Sequence, residues 1–146
     1  LEAMRLLESQ PVQLTLAGSS ELDPQAWVTA PNIRWLGPLP RSQVGKLYRQ
    51  AHAMILPTLS DGFAITQLEA LAHGCPVIAS AFCGEVVAPG LNGWLLPSLE
   101  PEAIAATIRE AMDTAHLLPR LLQQPNFGLS DLAETLQQLS LPTVQR

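Results

Sequence analysis

Little in this 146-residue sequence is charged: Lys, Arg, Asp and Glu together make up 14% of it, and the formal net charge is −5. Its Lys and Arg residues are scattered. A nucleic-acid groove, which needs clustered cations to neutralise phosphates, is therefore excluded. No apolar run comes near the roughly 20 residues that a membrane span requires, and no signal-peptide pattern stands at the start. The expectation is a cytoplasmic protein, with a peripheral membrane contact of a full-length protein still compatible. Metal-ligand spacing is missing as well. Cys75 and Cys83 form no C-x-x-C pair, and His52, His73 and His116 lie far apart, so neither a metal nor another cofactor is expected. His73 stands just before Gly74 at a helix end, where capping or a dipole contact outweighs catalysis. What the chain does have is apolar residues, 47% of the total, and a length that supports one core.

Those apolar residues fall in short runs separated by helical patterns, which reads as a parallel sheet of repeated βα units buried on both faces. Leu1 to Glu8 looks like part of an amphipathic helix. Val12 to Ala17 reads as a strand ending at the Gly18-Ser19-Ser20 loop, and a weak helical segment follows around Asp23 to Val28. Ile33 to Leu36 is the next strand. Pro38 and Pro40 break the chain, and Ser42 is placed to cap a helix running to about Gln50. Strands follow at Ala53 to Leu56, Val77 to Ser80 and Trp94 to Leu96, the last behind an Asn92-Gly93 turn pair. Trp94 reads as packing, not as a platform for a base. Glu85 could reach a sugar, order its loop, or simply be solvated. Pro101 suits a helix start, and Ile104, Ile108 and Met112 share one stripe of that helix. Two further helices are expected at Leu117 to Leu122 and Asp131 to Leu139.

The stretch from Leu56 to Ala79 carries the chemistry. It reads as strand end, polar loop, amphipathic helix and strand, with Gly74 and Pro76 closing the helix. Asp61 and Glu69 stand eight positions apart across the loop and helix. With a helix start near Ala64, Glu69 lies roughly 7–8 Å along the axis and Asp61 just ahead of the first turn. The unpaired N–H groups from Phe63 to Thr66 and the positive end of the helix dipole form a seat for a phosphate or pyrophosphate. Gly62 and Ala64 keep the approach open. Carboxylates repel phosphate but accept hydrogen bonds from vicinal hydroxyls. One on either side of an anion seat suits a pyrophosphate with a sugar at each end, which is a nucleotide-sugar. Taken by itself, the D-x7-E spacing favours a plain α/β domain in which Asp61 caps the helix and Glu69 is solvated, since such a spacing often arises by chance.

The run from Pro57 to Ala79 resembles the carboxylate-x7-carboxylate signature of the family 4 retaining glycosyltransferases, which have the GT-B fold. Ordered landmarks extend the resemblance from Leu1 to Met112. They are Leu16-Ala17-Gly18-Ser19, Ile33-Arg34-Trp35-Leu36-Gly37, Leu47-Tyr48-Arg49-Gln50-Ala51, Gly84-Glu85-Val86-Val87 and Gly90 to Leu96. The fold it implies is α/β, a Rossmann-like parallel sheet flanked by helices, as in the C-terminal half of a GT-B enzyme without its first strand. Residues 1–112 are then a donor-binding domain, partial at its start, and 113–146 are helices packing on it or extending it. Carried over by position, Asp61 and Glu69 are the catalytic-site carboxylates, Asp61 for hydroxyls of the transferred sugar and Glu69 for the ribose. The amides of Phe63, Ala64, Ile65 and Thr66, with Gly62, face the sugar and diphosphate. Leu36 and Gly37 border the base, and Gly18 lies at the donor too.

Two departures stand out. The family usually has Glu where this chain has Asp61, one methylene shorter, and Gly or Cys where it has Ala64. The family's pyrophosphate-binding Arg and Lys, and its acceptor-binding domain, precede the region that begins at Leu1. Neither Arg41 nor Lys46, on a different helix, inherits that duty by position. The resemblance thus implies hexose transfer from a nucleoside-diphosphate sugar to a hydroxyl with retained configuration, by a complete two-domain protein. The leaving phosphate takes the acceptor's proton and no metal is required. The isolated chain is expected to bind donor weakly and to be inactive. The alternative is a catalytically inactive nucleotide-sugar-binding or protein-interaction module.

Overall fold

The computed structural model describes residues 1–118 except 22, 24–27, 29 and 63. Helix α1 (Glu2–Arg5) leads to strand β1 (Leu14–Leu16) and strand β2 (Ile33–Trp35). Helix α2 (Arg41–Gln50), β3 (Met54–Leu56), α3 (Ile65–Ala72), β4 (Val77–Ser80), β5 (Gly93–Leu96) and α4 (Pro101–Thr114) follow, and a 3₁₀ turn spans Ala115–Leu117. Every strand pairing is parallel. β1 pairs with β2, Leu14 opposite Ile33, and β4 lies between β3 and β5, with Ile78 opposite Ile55 and Trp94.

β4 shows why a continuous apolar run was needed: all four of its residues are buried. Successive side chains of a strand point to opposite faces, so Ile78 joins one core and Val77 and Ala79 another. The first core gathers Met4 and Leu7 from the amino-terminal segment, Ile33, Trp94, Leu96, and Ala105, Ile108 and Ala111 of α4, with Leu14, Leu16 and Ile55 against it. The second gathers Ala70 and Cys75 with Val77 and Ala79, flanked by Tyr48, Met54 and Leu71. β1-β2 and β3-β4-β5 form two separate sheets, and the three-stranded one is covered on both sides, as the scarcity of charge implied.

Several details differ from the sequence reading. Only Glu2–Arg5 of the first segment is α-helical, and turns carry the chain on to Gln10. Ser42 does not cap α2. The helix begins two residues earlier than such a cap would set, at Arg41, after Pro40 in extended conformation, and has no side-chain cap. Of the Asn92-Gly93 pair only Asn92 lies in the turn. The turn is closed by the Leu91 and Asn92 amides donating to the Ala88 carbonyl, and Gly93 is already in β5, where a Cβ would fall on the Val77 carbonyl oxygen. The buried face of α4 is made by Ala105, Thr107, Ile108 and Ala111, and Met112 is 40% exposed. That helix runs on to Thr114, past Met112. Most of the segment expected to be helical at 23–28, the rest of the Leu117 to Leu122 helix beyond residue 118, and the Asp131 to Leu139 helix lie outside the described residues.

Candidate functional site

In a parallel sheet the loops that leave the carboxyl ends of the strands share one edge, and ligands collect there. Here those loops are tied in pairs. The Gly18 amide donates to the Gly37 carbonyl at 2.9 Å, which joins the ends of β1 and β2. The Asp61 amide donates to the Phe82 carbonyl at 3.0 Å, and the Ser80 hydroxyl donates to the Thr58 carbonyl at 2.7 Å, which joins the ends of β3 and β4. A Cβ at Gly18 or Gly62 would meet no atom within 4 Å, so both glycines front open space.

The loop after β3 delivers Asp61 to the start of α3. Its Oδ1 accepts the Ala64 N–H at 2.8 Å, so one amide of the anticipated anion seat is held by the protein's own carboxylate. The Ile65 and Thr66 amides have no acceptor among the described residues. Phe63 lies outside those residues. Ala64 has φ +50 and ψ +69, the sole non-glycine with positive φ among the described residues. An L side chain in that region costs about 1–2 kcal/mol. This is the position at which the resembled family usually carries Gly or Cys.

Glu69, on the second turn of α3, is 34% exposed at its side chain, and its Oε1 is 3.4 Å from Nη2 of Arg41, which opens α2. Of the two cations on α2 singled out in the sequence, Arg41 therefore meets the site and Lys46 is simply exposed. The two helices are joined further along by His73. Its ring stacks on Tyr48 with centroids 6.0 Å apart and 21° between planes, and its Nδ1 accepts from Arg49 at 3.2 Å. A Cβ at Gly45 would lie 2.7 Å from His73 Nε2, so that glycine makes room for the ring. These contacts give His73 a packing duty between α2 and α3. Burial, then the Glu69 charge, then Cys75 push the Tyr48 phenol above its usual range. Burial pushes the Cys75 thiol up to about 11, against a smaller opposing effect of its hydrogen bond with the Met54 backbone, and keeps it an inert core group.

Two contributors had no clear signal in the sequence as anchors of a loop. Gln67, fully buried on α3, donates through Nε2 to the Gly84 carbonyl at 3.4 Å and anchors the loop after β4. Asn92 receives the Ala88 amide on Oδ1 at 2.7 Å and donates from Nδ2 to the Val86 carbonyl at 3.0 Å, so that loop is ordered from within. Glu85, on the same loop, is exposed. Trp94 is buried and donates its indole N–H to Thr114 Oγ1 at 3.1 Å, the packing role expected of it. Among the described residues no three His, Cys, Asp or Glu side chains gather as a metal site, and no helix is long and apolar enough to cross a membrane.

Comparison with known proteins bears on this edge. The model of the family described as glycosyl transferases group 1 matches residues 1–114. A D-inositol 3-phosphate glycosyltransferase of Frankia alni is 35% identical over 97 residues, covering 65% of this chain and 21% of that protein. Among solved structures, a sucrose-phosphate synthase from Thermosynechococcus elongatus superposes with a TM-score of 0.72 at 23% identity, over 94% of this chain and 40% of that one. HepE of Anabaena in complex with UDP superposes with a TM-score of 0.70 at 21% identity, over 94% and 44%. These likenesses establish the fold, parallel sheets flanked by helices as in one half of a GT-B enzyme. The chain spans about a fifth of the length of the Frankia protein.

Proposed function

Because this chain belongs to the group 1 glycosyl transferases, we propose that it is the donor-binding half of a retaining glycosyltransferase of family 4, one that moves a hexose from a nucleoside-diphosphate sugar to an acceptor hydroxyl. The observation that carries the reading is the start of α3, where the Ile65 and Thr66 amides, without an acceptor among the described residues, lie between the Asp61 loop and the Glu69 carboxylate. In this reading the diphosphate lies on those two amides and the positive end of the helix. Glu69 accepts the ribose hydroxyls, Asp61 meets the transferred sugar through the oxygen not bonded to Ala64, and the base lies along Leu36 and Gly37. HepE, which has the same fold, was solved with UDP and with UDP-glucose.

The mechanism that follows is electrostatic. Negative charge grows on the departing diphosphate, and amides already aimed at it stabilise that charge without reorganising. A positioned acceptor hydroxyl attacks on the same face and passes its proton to the leaving phosphate. Neither carboxylate need act as nucleophile, and no metal enters. In this reading the acceptor site and the cationic loop of the resembled family belong to the complete two-domain protein, and the isolated chain binds donor weakly and turns nothing over. A cytoplasmic setting is part of the same proposal, and the free thiols of Cys75 and Cys83 suit a reducing compartment.

Calorimetric titration of the 146-residue chain with UDP, GDP and ADP and their sugars tests this. One nucleotide series binds, and Glu69→Ala weakens it about tenfold or more, the scale of a lost hydrogen bond to a charged group. Unchanged affinity in that variant removes the ribose assignment. The bond from the Ala64 amide to Asp61 favours a second reading, an inactive nucleotide-sugar-binding or protein-interaction module in which Asp61 is a cap. A full-length protein that turns over neither as isolated nor with Asp61→Glu, while still binding donor, selects that reading.

A further inference from the structure

The ion pair between Arg41 and Glu69 contributes little to folding. Arg41 is 93% exposed at its side chain, the contact is a single one at 3.4 Å, and exposed pairs of this kind are screened by solvent and contribute little. The helices that carry them are already joined by Tyr48, His73 and Arg49. What the pair does is place a full positive charge beside a carboxylate at the candidate site. A guanidinium has five N–H donors, of which the contact with Oε1 engages one group, and Glu69 Oε2 has no partner among the described residues.

We propose that Arg41 is a donor-contacting residue, its guanidinium turned to the phosphates of a bound nucleoside diphosphate while Glu69 holds the ribose hydroxyls. The inference rests on the reading of the α3 start given above. The chain carries a net charge of −5, and Asp61 and Glu69 repel an anion brought between them. The open amides of Ile65 and Thr66 offer only the helix's partial charge, equivalent to about half an elementary charge. Arg41 supplies a full positive charge from this chain's own residues. Its position allows this, because Ile65 and Glu69 are four apart and share one face of α3, roughly 6 Å from each other along the axis. A guanidinium at the Glu69 carboxylate therefore stands over the stripe that leads to the open amides. An exposed Arg41 held by one long contact re-aims at small cost.

The test uses the full 146-residue chain titrated with UDP, GDP and ADP at low and high salt, as wild type, Arg41→Gln, Arg41→Lys and Glu69→Ala. Arg41→Gln weakens the preferred nucleotide about three- to tenfold at low salt, and the loss shrinks at about 0.5 M salt, where screening is short-ranged. Arg41→Lys, which keeps the charge without the planar fork, stays within about twofold of wild type. Full affinity in Arg41→Gln while Glu69→Ala is weakened overturns the role of Arg41 and leaves the donor-site reading standing. Arg41→Lys as weak as Arg41→Gln, or a loss indifferent to salt, also overturns it, since the charge is then not what acts. A wild-type chain that binds none of the three nucleotides defeats the donor-site reading and this inference together. An unfolding midpoint unchanged in Arg41→Gln confirms that the loss is local.

Discussion

At its carboxyl end α3 runs into a turn whose amides are bonded back to the helix: the Gly74 N–H donates to Leu71, the Cys75 N–H to Ala70, and Gly74 takes φ +73. That is a Schellman closure, and the residue after it, Cys75, is fully buried. At its amino end the same helix is left open. Ile65 is 65% exposed and Leu59, in the loop before it, 80%; the Ile65 and Thr66 amides lack acceptors among the described residues; and Ala64 sits in the left-handed region. One end satisfies its backbone and packs; the other forgoes both within a short stretch of chain. The difference separates what α3 contributes to folding from what it offers a ligand, since strain and unmet donors persist where surrounding structure supports them.

The largest effect comes from breaking the closed side at its support. β4, which follows the Schellman turn, approaches β5 so closely at Val77 that Gly93 has no room for a side chain. Gly93→Ala sets a methyl against a backbone carbonyl, which cannot rotate away, and loses roughly 3 kcal/mol or more, enough to remove most of a small domain's stability. A urea titration followed by circular dichroism reads this as a midpoint collapse. A midpoint unchanged by the methyl means that the strands are not so closely apposed.

A milder break is Gly74→Ala. The new Cβ meets the left-handed conformation and costs about 1–2 kcal/mol, visible as a lowered urea midpoint. Nucleotide affinity of the molecules that remain folded is unaltered, because the turn lies at the far end of the helix from the open amides. A variant that keeps its stability but loses affinity reverses the assignment of the two ends.

The closed side was the legible one. Gly74 and Pro76 after an amphipathic helix, an apolar run at Val77 to Ser80, and Pro101 at a helix start each express a local rule, and the elements appear at or within a residue of those places. The parallel sheet followed from apolar runs too short and too uniform for a half-exposed sheet. Asn92-Gly93 misled because the same pair that marks turns also serves a strand whose neighbour comes too close for a side chain. Met112 misled because α4 presents a face of small residues, Ala105 and Ala111, to the core, so size and burial part company. At the candidate site, Asp61, Glu69 and their spacing could be picked out as candidates, but their partners could not. That Arg41 meets Glu69, 28 positions away, or that Gln67 reaches across to Gly84, depends on how α2 and the loop after β4 settle on α3, which no local pattern encodes.

The smallest expected effect is the one that sharpens the comparison most. Ala64 and Gly74 both have positive φ, one at each end of α3, yet only the closed end carries the residue that adopts it freely. Ala64→Gly relieves about 1–2 kcal/mol of strain and gives back roughly 0.5–1 kcal/mol through the greater freedom of glycine in the unfolded chain. The net is a gain of about 0–1.5 kcal/mol, opposite in sign to Gly74→Ala. The bond from the Ala64 amide to Asp61 needs no side chain at position 64 and survives the change. Chemical denaturation of the two variants side by side reads the signs directly. A clear loss of stability in Ala64→Gly means that the Ala64 methyl, which is buried, contributes packing that outweighs the strain, and the amino end of α3 is then held more firmly than its open amides suggest.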